Sequence, residues 1–289
     1  EKLSEEIVKG ISLAMSAILI LLMVGALIGV WNMSGTIATV VYLGIKYIDP
    51  SWFYFAAALI TGLIGIVTGS SWTTTATIGV AFVGMSNVIG ASSAITAGAV
   101  ISGAYFGDKM TPLSETTILT PQLVGSNVYD HIRSMSKATV PAYLIALVMF
   151  FLIGWRNEIV APPVSTDAAL GALEGVYNIT LWTLLPIAVL LLLGLRKYPA
   201  FLSILIGTLV GALVAVVLQQ QVVYDFAYDA GLSAPLIMLK GVWLAMANGF
   251  VLTSGVPEID KLFTGGGMSS MLYTVWLILG AMAFGAVMD

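Results

Sequence analysis

Asp108, Lys109 and Glu115 stand close together in the run GAYFGDKMTPLSETTILTP, residues 103 to 121, beside Thr111, Ser114, Thr116, Thr117 and Thr120. Pro112 and Pro121 each remove a backbone donor and disfavour helix at the residue before them, so this stretch is expected to be irregular. Two carboxylates seven residues apart suit a site for a cation or a proton. Burial and a neighbouring carboxylate favour the protonated acid, whereas a bound cation favours the carboxylate, so H⁺ and Na⁺ compete for the same oxygens. Which of Asp108 and Glu115 is the ligand and which supports it stays open at this stage. The competing reading is a solvated loop, against which Met110, Leu113, Ile118 and Leu119 make the stretch unusually apolar.

A second polar run, GSSWTTTATIG at residues 69 to 79, sets two glycines, two serines and four threonines between long apolar stretches. Gly69 can stop a helix and free its carbonyls, and Ser70, Ser71, Thr73, Thr74 and Thr75 add hydroxyl oxygens. Hard cations take oxygen ligands, and transporters supply them at helix breaks deep in the membrane. The alternative is that these hydroxyls bond to the preceding helical turn or join helices together.

The elements that must position both runs are membrane helices. Of the 289 residues, 59% are hydrophobic and only 9% charged, with a mean hydropathy of +1.01. Soluble domains carry about 25% charged residues. Apolar runs recur along almost the whole chain, and roughly 20 such residues in a helix cross a bilayer. These runs are continuously apolar rather than alternating, which favours helices over a barrel. The net charge of -4 comes from loops and termini and points to no partner, nucleic acid included. There is no cysteine, so disulfides and thiolate metal sites are excluded.

The expected spans are residues 10 to 31, 35 to 48, 52 to 68, 75 to 90, 93 to 106, 138 to 155, 178 to 194, 199 to 218, 235 to 253 and 269 to 288. Those between 35 and 106 are short and joined by Gly, Ser and Thr, the pattern of re-entrant or broken helices. Short cytoplasmic loops are enriched in Lys and Arg. His131, Arg133 and Lys137 therefore mark one inner loop and Arg196 with Lys197 another, while Glu158, Asp167 and Glu174, then Asp225 and Asp229, lie outside. Trp31, Trp52 and Trp155 at span ends read as interface anchors. Lys240 reads as a snorkelling side chain in preference to one that pairs with a buried carboxylate or holds a substrate anion. Asn248 and Thr253 read as interhelical hydrogen-bonding residues in preference to a helix break. GALIG at Gly25 to Gly29 and GAMAFG at Gly280 to Gly285 form an internal echo of the kind inverted repeats leave, though small residues also recur simply to let helices pack.

The runs GSSWTT and SGAYFGDKMTPLSETT, followed by HIR at 131 to 133, resemble the NhaC family of bacterial sodium/proton antiporters, within the ion transporter superfamily, over nearly the whole chain. The GDKM(S/T)PLS(D/E)TT pattern is long and specific. Its last carboxylate is typically Asp, and here it is Glu115, one methylene longer. The resemblance implies an all-α, polytopic helical membrane protein with broken or re-entrant helices and inverted structural repeats. It implies a single transmembrane transporter domain over 1–289, with a first-repeat core at 10–134, intervening spans at 135–266 and the start of a second repeat at 267–289. A chain that opens on Glu1 and stops at Asp289 as an apolar helix ends is expected to be truncated at both ends.

The implied activity is exchange of Na⁺, with Li⁺ as a further cargo, for H⁺ across the bacterial cytoplasmic membrane by alternating access. Small carboxylates such as malate and lactate are the alternative cargo, as the family also contains such exchangers. The candidate proton and cation ligands are Asp108, Glu115, Ser114, Thr116, Thr117, Ser70, Ser71, Thr73 and Thr74, with Asp108 and Glu115 as the direct Na⁺ ligands. No resident cofactor is expected. Na⁺, H⁺ and the lipid bilayer are the expected partners, and a homodimer is one allowed assembly. A membrane-embedded enzyme is the rival class, but YFGD at Tyr105 to Asp108 lacks the first Gly of an intramembrane aspartyl protease run, and no HExxH exists. A passive channel is the third reading and predicts flux without a counter-ion.

Overall fold

Helix breaks set by glycine punctuate this chain. In the computed structural model, residues 2 to 288 are described apart from 113, 115, 116, 118, 119, 122 to 124, 157 to 165, 197, 256 to 259, 261 and 262. Along the described chain run α1 (Lys2–Met33), α2 (Thr36–Tyr47), α3 (Phe53–Thr68), α4 (Ser71–Thr74), α5 (Val80–Ile89) and α6 (Ser93–Lys109). They are followed by α7 (Val128–Arg156), α8 (Thr166–Val176), α9 (Leu185–Leu195), α10 (Ala200–Leu218), α11 (Gln220–Ala227), α12 (Ala234–Asn248) and α13 (Met268–Met288). Among the described residues, five helices are long and apolar enough to cross a membrane, namely those ending in α1, α3, α7, α10 and α13. The α8–α9 pair, bent by 85°, makes a sixth if it counts as one span. The all-helical, multi-pass architecture expected from the apolar runs is thus present, and each expected span contains helix. Helices α8 and α11 were not anticipated; both are short and carry acidic residues.

Glycines fix how the helices meet. On α6, a methyl at Gly103 would overlap the Ala58 carbonyl and the Thr61 hydroxyl of α3, and one at Gly107 would meet Gly62 O and Ile66 N, each at 2.5 Å. Small residues let membrane helices approach to backbone contact. Because both contact positions advance together along the two helices, α3 and α6 run parallel. The chain between them must therefore travel back along the bundle, and it does so through the broken segment of α4 and α5. Helix α7 clamps the parallel pair: Tyr143 stacks on Phe106 at 3.9 Å, and its hydroxyl donates to Ala58 O at 2.7 Å.

Helix α1 pairs with α13 in the antiparallel sense, with Gly10 against Ala286 and Gly25 against Gly267. Gly267 N donates to Gly25 O at 2.6 Å, a backbone bond between two helices that the absence of side chains permits. The two members of the GALIG/GAMAFG echo differ in surroundings. Gly25 and Gly29 are pressed against backbone, whereas Gly280 and Gly285 have nothing within 4 Å among the described residues.

Two local expectations are corrected. Trp31 is 1% exposed and donates its indole N–H to Gly207 O at 3.1 Å, so it is a core contact between α1 and α10 rather than an interface anchor. A helix break does occur near Asn248: α12 ends there, Gly249 takes φ 92°, and Phe250 pairs with Gly265 in an isolated bridge. Glycine is the residue that adopts such a φ without steric cost, which is why the break falls on it. Lys240, 35% exposed, reaches the exposed loop carboxylate of Asp229 at 2.8 Å, and that ammonium holds the Asp229 carboxyl below the usual carboxylate range.

Candidate ion-binding site

The broken segment starts where the sequence places a left-handed glycine. Gly69, at φ 65°, closes α3 with its N–H on Gly65 O at 2.9 Å. Ser70 then caps α4, its hydroxyl accepting from Thr73 N at 3.2 Å, as serine does at helix starts. The helix widens at once into a π turn at Thr75–Gly79 before continuing as α5. Such turns are rare and concentrate at functional sites, because a widened turn re-aims side chains and loosens the backbone ladder.

The four-residue helix divides the hydroxyls into two sets. Thr74 donates to Ser70 O at 2.9 Å and shares a hydrogen bond with Thr68, and Thr77 donates to Thr73 O at 2.7 Å. Those hydroxyls are used to hold the break together, as the back-bonding alternative anticipates for some of them. Ser70, Ser71 and Thr73 instead line a cavity of about 680 Å³, with Thr73 donating to the Ser70 hydroxyl at 3.1 Å. Thr74 does not line that cavity, and Thr75 turns to a separate apolar groove bounded by Val80, Val83 and Val100.

The C-terminal end of α6 lines the same cavity as Ser70 and Thr73. The glycine-locked α3–α6 contact places Asp108 there, 6% exposed and lining the same space with Lys109 and Ser114. Lys109 Nζ lies 3.9 Å from Asp108 Oδ2, too long for a hydrogen bond but close enough for charge compensation. The Lys109 side chain is 35% exposed, so the ammonium stands at the rim while the carboxylate is inside. The chain after α6 folds back on this end: Thr117 donates its hydroxyl to Asp108 O at 3.1 Å, and its N–H bonds the Ser114 hydroxyl at 3.3 Å. Ser114 and Thr117 are both buried. Thr117 thus braces Asp108, and Ser114 reaches the cavity itself. Glu115 and Thr116 lie outside the described residues.

The remaining wall comes from parts of the chain that no motif marks. Ser16, Ala17 and Ile20 of α1, Leu190 and Gly194 of α9, and Tyr198 to Ala200 with Ser203 at the start of α10 complete the lining. Lone serines in apolar runs give no local signal, and only the packing of α1, α9 and α10 brings them to Asp108. Among the described residues, no three His, Asp or Glu side chains converge as a tight metal centre would require. One buried carboxylate ringed by hydroxyls suits a weakly held, exchangeable monovalent cation or a proton.

The model of the Na⁺/H⁺ antiporter family matches residues 1–120 and 103–289. The chain is 35% identical over 287 residues to the Na⁺/H⁺ antiporter NhaC of Alkalihalophilus pseudofirmus, covering 99% of this chain and 59% of that protein. It is 33% identical over 290 residues to the malate-2H⁺/Na⁺-lactate antiporter of Bacillus subtilis, covering 99% and 58%. It is 29% identical over 292 residues to the arginine/ornithine antiporter ArcD of Halobacterium salinarum, covering 100% and 57%. The chain therefore spans a little under three fifths of the length of these curated relatives. No solved structure matches it. With the family match running from end to end of a multi-pass helical chain, this protein is a member of the Na⁺/H⁺ antiporter family.

Proposed function

We propose that the protein exchanges Na⁺, or Li⁺, for H⁺ across a bacterial cytoplasmic membrane by alternating access, at the cavity between the broken helix and Asp108. One observation carries this reading: a buried carboxylate and the hydroxyls of a capped helix break, 35 residues or more apart in sequence, line one space. Asp108 binds either the proton or the cation, and Ser70, Ser71, Thr73 and Ser114 supply neutral oxygens that do not themselves titrate. A proton and a cation cannot both occupy the carboxylate, which couples the two fluxes. Glu115 and Thr116 join this set as ligands by their place in the motif. An inverted repeat beginning near Gly267 belongs to the same proposal; the antiparallel course of α1 and α13, which bear the echo, is what an axis in the membrane plane requires.

Exchange of small carboxylates is the second reading. The cavity volume of about 680 Å³ is in the range of small-molecule sites, roughly 300–1,000 Å³, and far exceeds a bare monovalent cation. Lys109 at its rim offers a counter-charge to a carboxylate, and the similarity to a malate/lactate exchanger favours the same cargo class.

Reconstitution of the full-length protein in liposomes with a trapped pH-sensitive dye decides between them. Na⁺, Li⁺, K⁺, malate and lactate are added in turn. Dye response to Na⁺ or Li⁺ alone supports cation exchange, and a response that needs malate or lactate supports the second reading. Proton movement that is indifferent to Na⁺ and Li⁺ sinks the first.

A further inference from the structure

Ser203 is 4% exposed and lines the same cavity as the Ser70–Thr73 break and Asp108. Its hydroxyl oxygen is buried and has no hydrogen-bond partner. Serine in a helix normally resolves this by bonding the carbonyl one turn back. Thr208, one and a half turns further along α10 and equally buried, does so, donating to Ile204 O at 2.8 Å. Ser203 does not, although its own backbone N–H reaches Pro199 O at 3.0 Å and the carbonyl has a second lone pair to offer. Leaving a buried hydroxyl unmade costs free energy that an alanine of almost the same size would avoid. A hydroxyl kept unpaired beside an ion cavity is therefore reserved for something that is not always there.

We propose that Ser203 is a further cargo ligand: its Oγ coordinates the transported cation from the α10 wall of the cavity when that wall closes on it. Hard cations fill a shell of oxygens on all sides, and Ser203 adds one from α10, a helix other than those that bear the break and Asp108. Serine has a single side-chain torsion by which to turn its hydroxyl, and a cation in the cavity would give that oxygen the partner it lacks within the protein. Ser203 lies 95 residues after Asp108 in sequence, on a helix whose composition is otherwise apolar. This inference rests on the cation-exchange reading of the same cavity.

The test compares the full-length wild-type protein with Ser203→Ala, Ser203→Cys and, as a control on the same helix, Thr208→Val. Melting temperature is measured with NaCl or with choline chloride at equal ionic strength, and Na⁺-driven exchange is measured in liposomes. Ser203→Ala is expected to melt no lower than wild type in choline, to lose most of the Na⁺-induced rise in Tm, and to need roughly tenfold more Na⁺ for half-maximal exchange. Ser203→Cys, whose soft sulfur is a poor ligand for a hard cation, follows the alanine variant. Thr208→Val keeps the Na⁺-induced rise whatever its own Tm. A Ser203→Ala protein with a wild-type Na⁺ response overturns the proposal while leaving cation exchange standing. Wild-type protein that responds to Na⁺ in neither assay removes both.

Discussion

The α3–α6 pair and the break between them are built from the same small residues and use them in opposite ways. In the pair, Gly62, Gly103 and Gly107 bring two backbones into contact, and Thr61 turns its hydroxyl back to Ala57 O at 2.6 Å. The Thr61 hydroxyl is spent within its own helix. In the break, Gly69 is left-handed, Ser70 is a cap rather than a helix residue, and Ser70, Ser71 and Thr73 open onto a cavity. Glycine, serine and threonine in a membrane helix therefore say little by their presence. What separates scaffold from site is whether glycine accepts a neighbouring backbone or stops the helix, and whether a hydroxyl bonds its own turn or faces an open space.

The largest effect that can break this comparison is at Asp108, which the scaffold delivers to the site. Asp108→Asn keeps the side-chain shape and removes the charge; exchange in liposomes is expected to fall by about two orders of magnitude or more, about 2.7 kcal/mol, with a normal size-exclusion profile. Retained exchange would remove Asp108 from the site. Gly107→Ala attacks the scaffold directly. The added methyl meets Gly62 O and Ile66 N, and overpacking of that kind costs about 1–3 kcal/mol, read as a lower Tm in detergent with or without Na⁺.

Ser70→Ala is smaller and sharpens the contrast, because it removes a cap and a cavity oxygen together. Loss of the cap costs about 1 kcal/mol, and a weaker dependence of exchange on Na⁺ is expected besides. A variant with lower Tm and unaltered Na⁺ dependence would assign Ser70 to the scaffold alone. Thr77→Val is the smallest. Its hydroxyl is spent on Thr73 O, so half-maximal Na⁺ is expected to stay at the wild-type value while stability falls by at most the worth of one hydrogen bond, about 1 kcal/mol. A large transport defect there would show that the π turn, rather than the cavity hydroxyls, holds the cargo.

Much of this architecture was legible in the chain because the signals are local. Apolar length marks membrane helices, Gly35, Gly69 and Gly90 sit where helices end, and the carboxylate run at 103–121 stands out against its surroundings. Residues whose role depends on which neighbour arrives were not legible. Trp31 at a span end reads as an anchor until Gly207 and Gly211 of α10 dock on it. Thr74 reads as a ligand as readily as Thr73, because nothing in their spacing shows which of two adjacent hydroxyls will be spent on Ser70 O.

The sequence by itself determined that this is a multi-pass helical membrane protein with two polar breaks and placed it beside one antiporter family. Those properties follow from hydrophobic length, backbone-breaking residues and a long rare motif, each carried by contiguous residues. Only the tertiary structure decided which hydroxyls face the cavity and that α1, α9 and α10 supply its far wall through Ser16, Tyr198 and Ser203. A lone serine among leucines acquires meaning only when packing sets it beside a carboxylate from another helix, because coordination is a property of positions in space and not of neighbours along the chain.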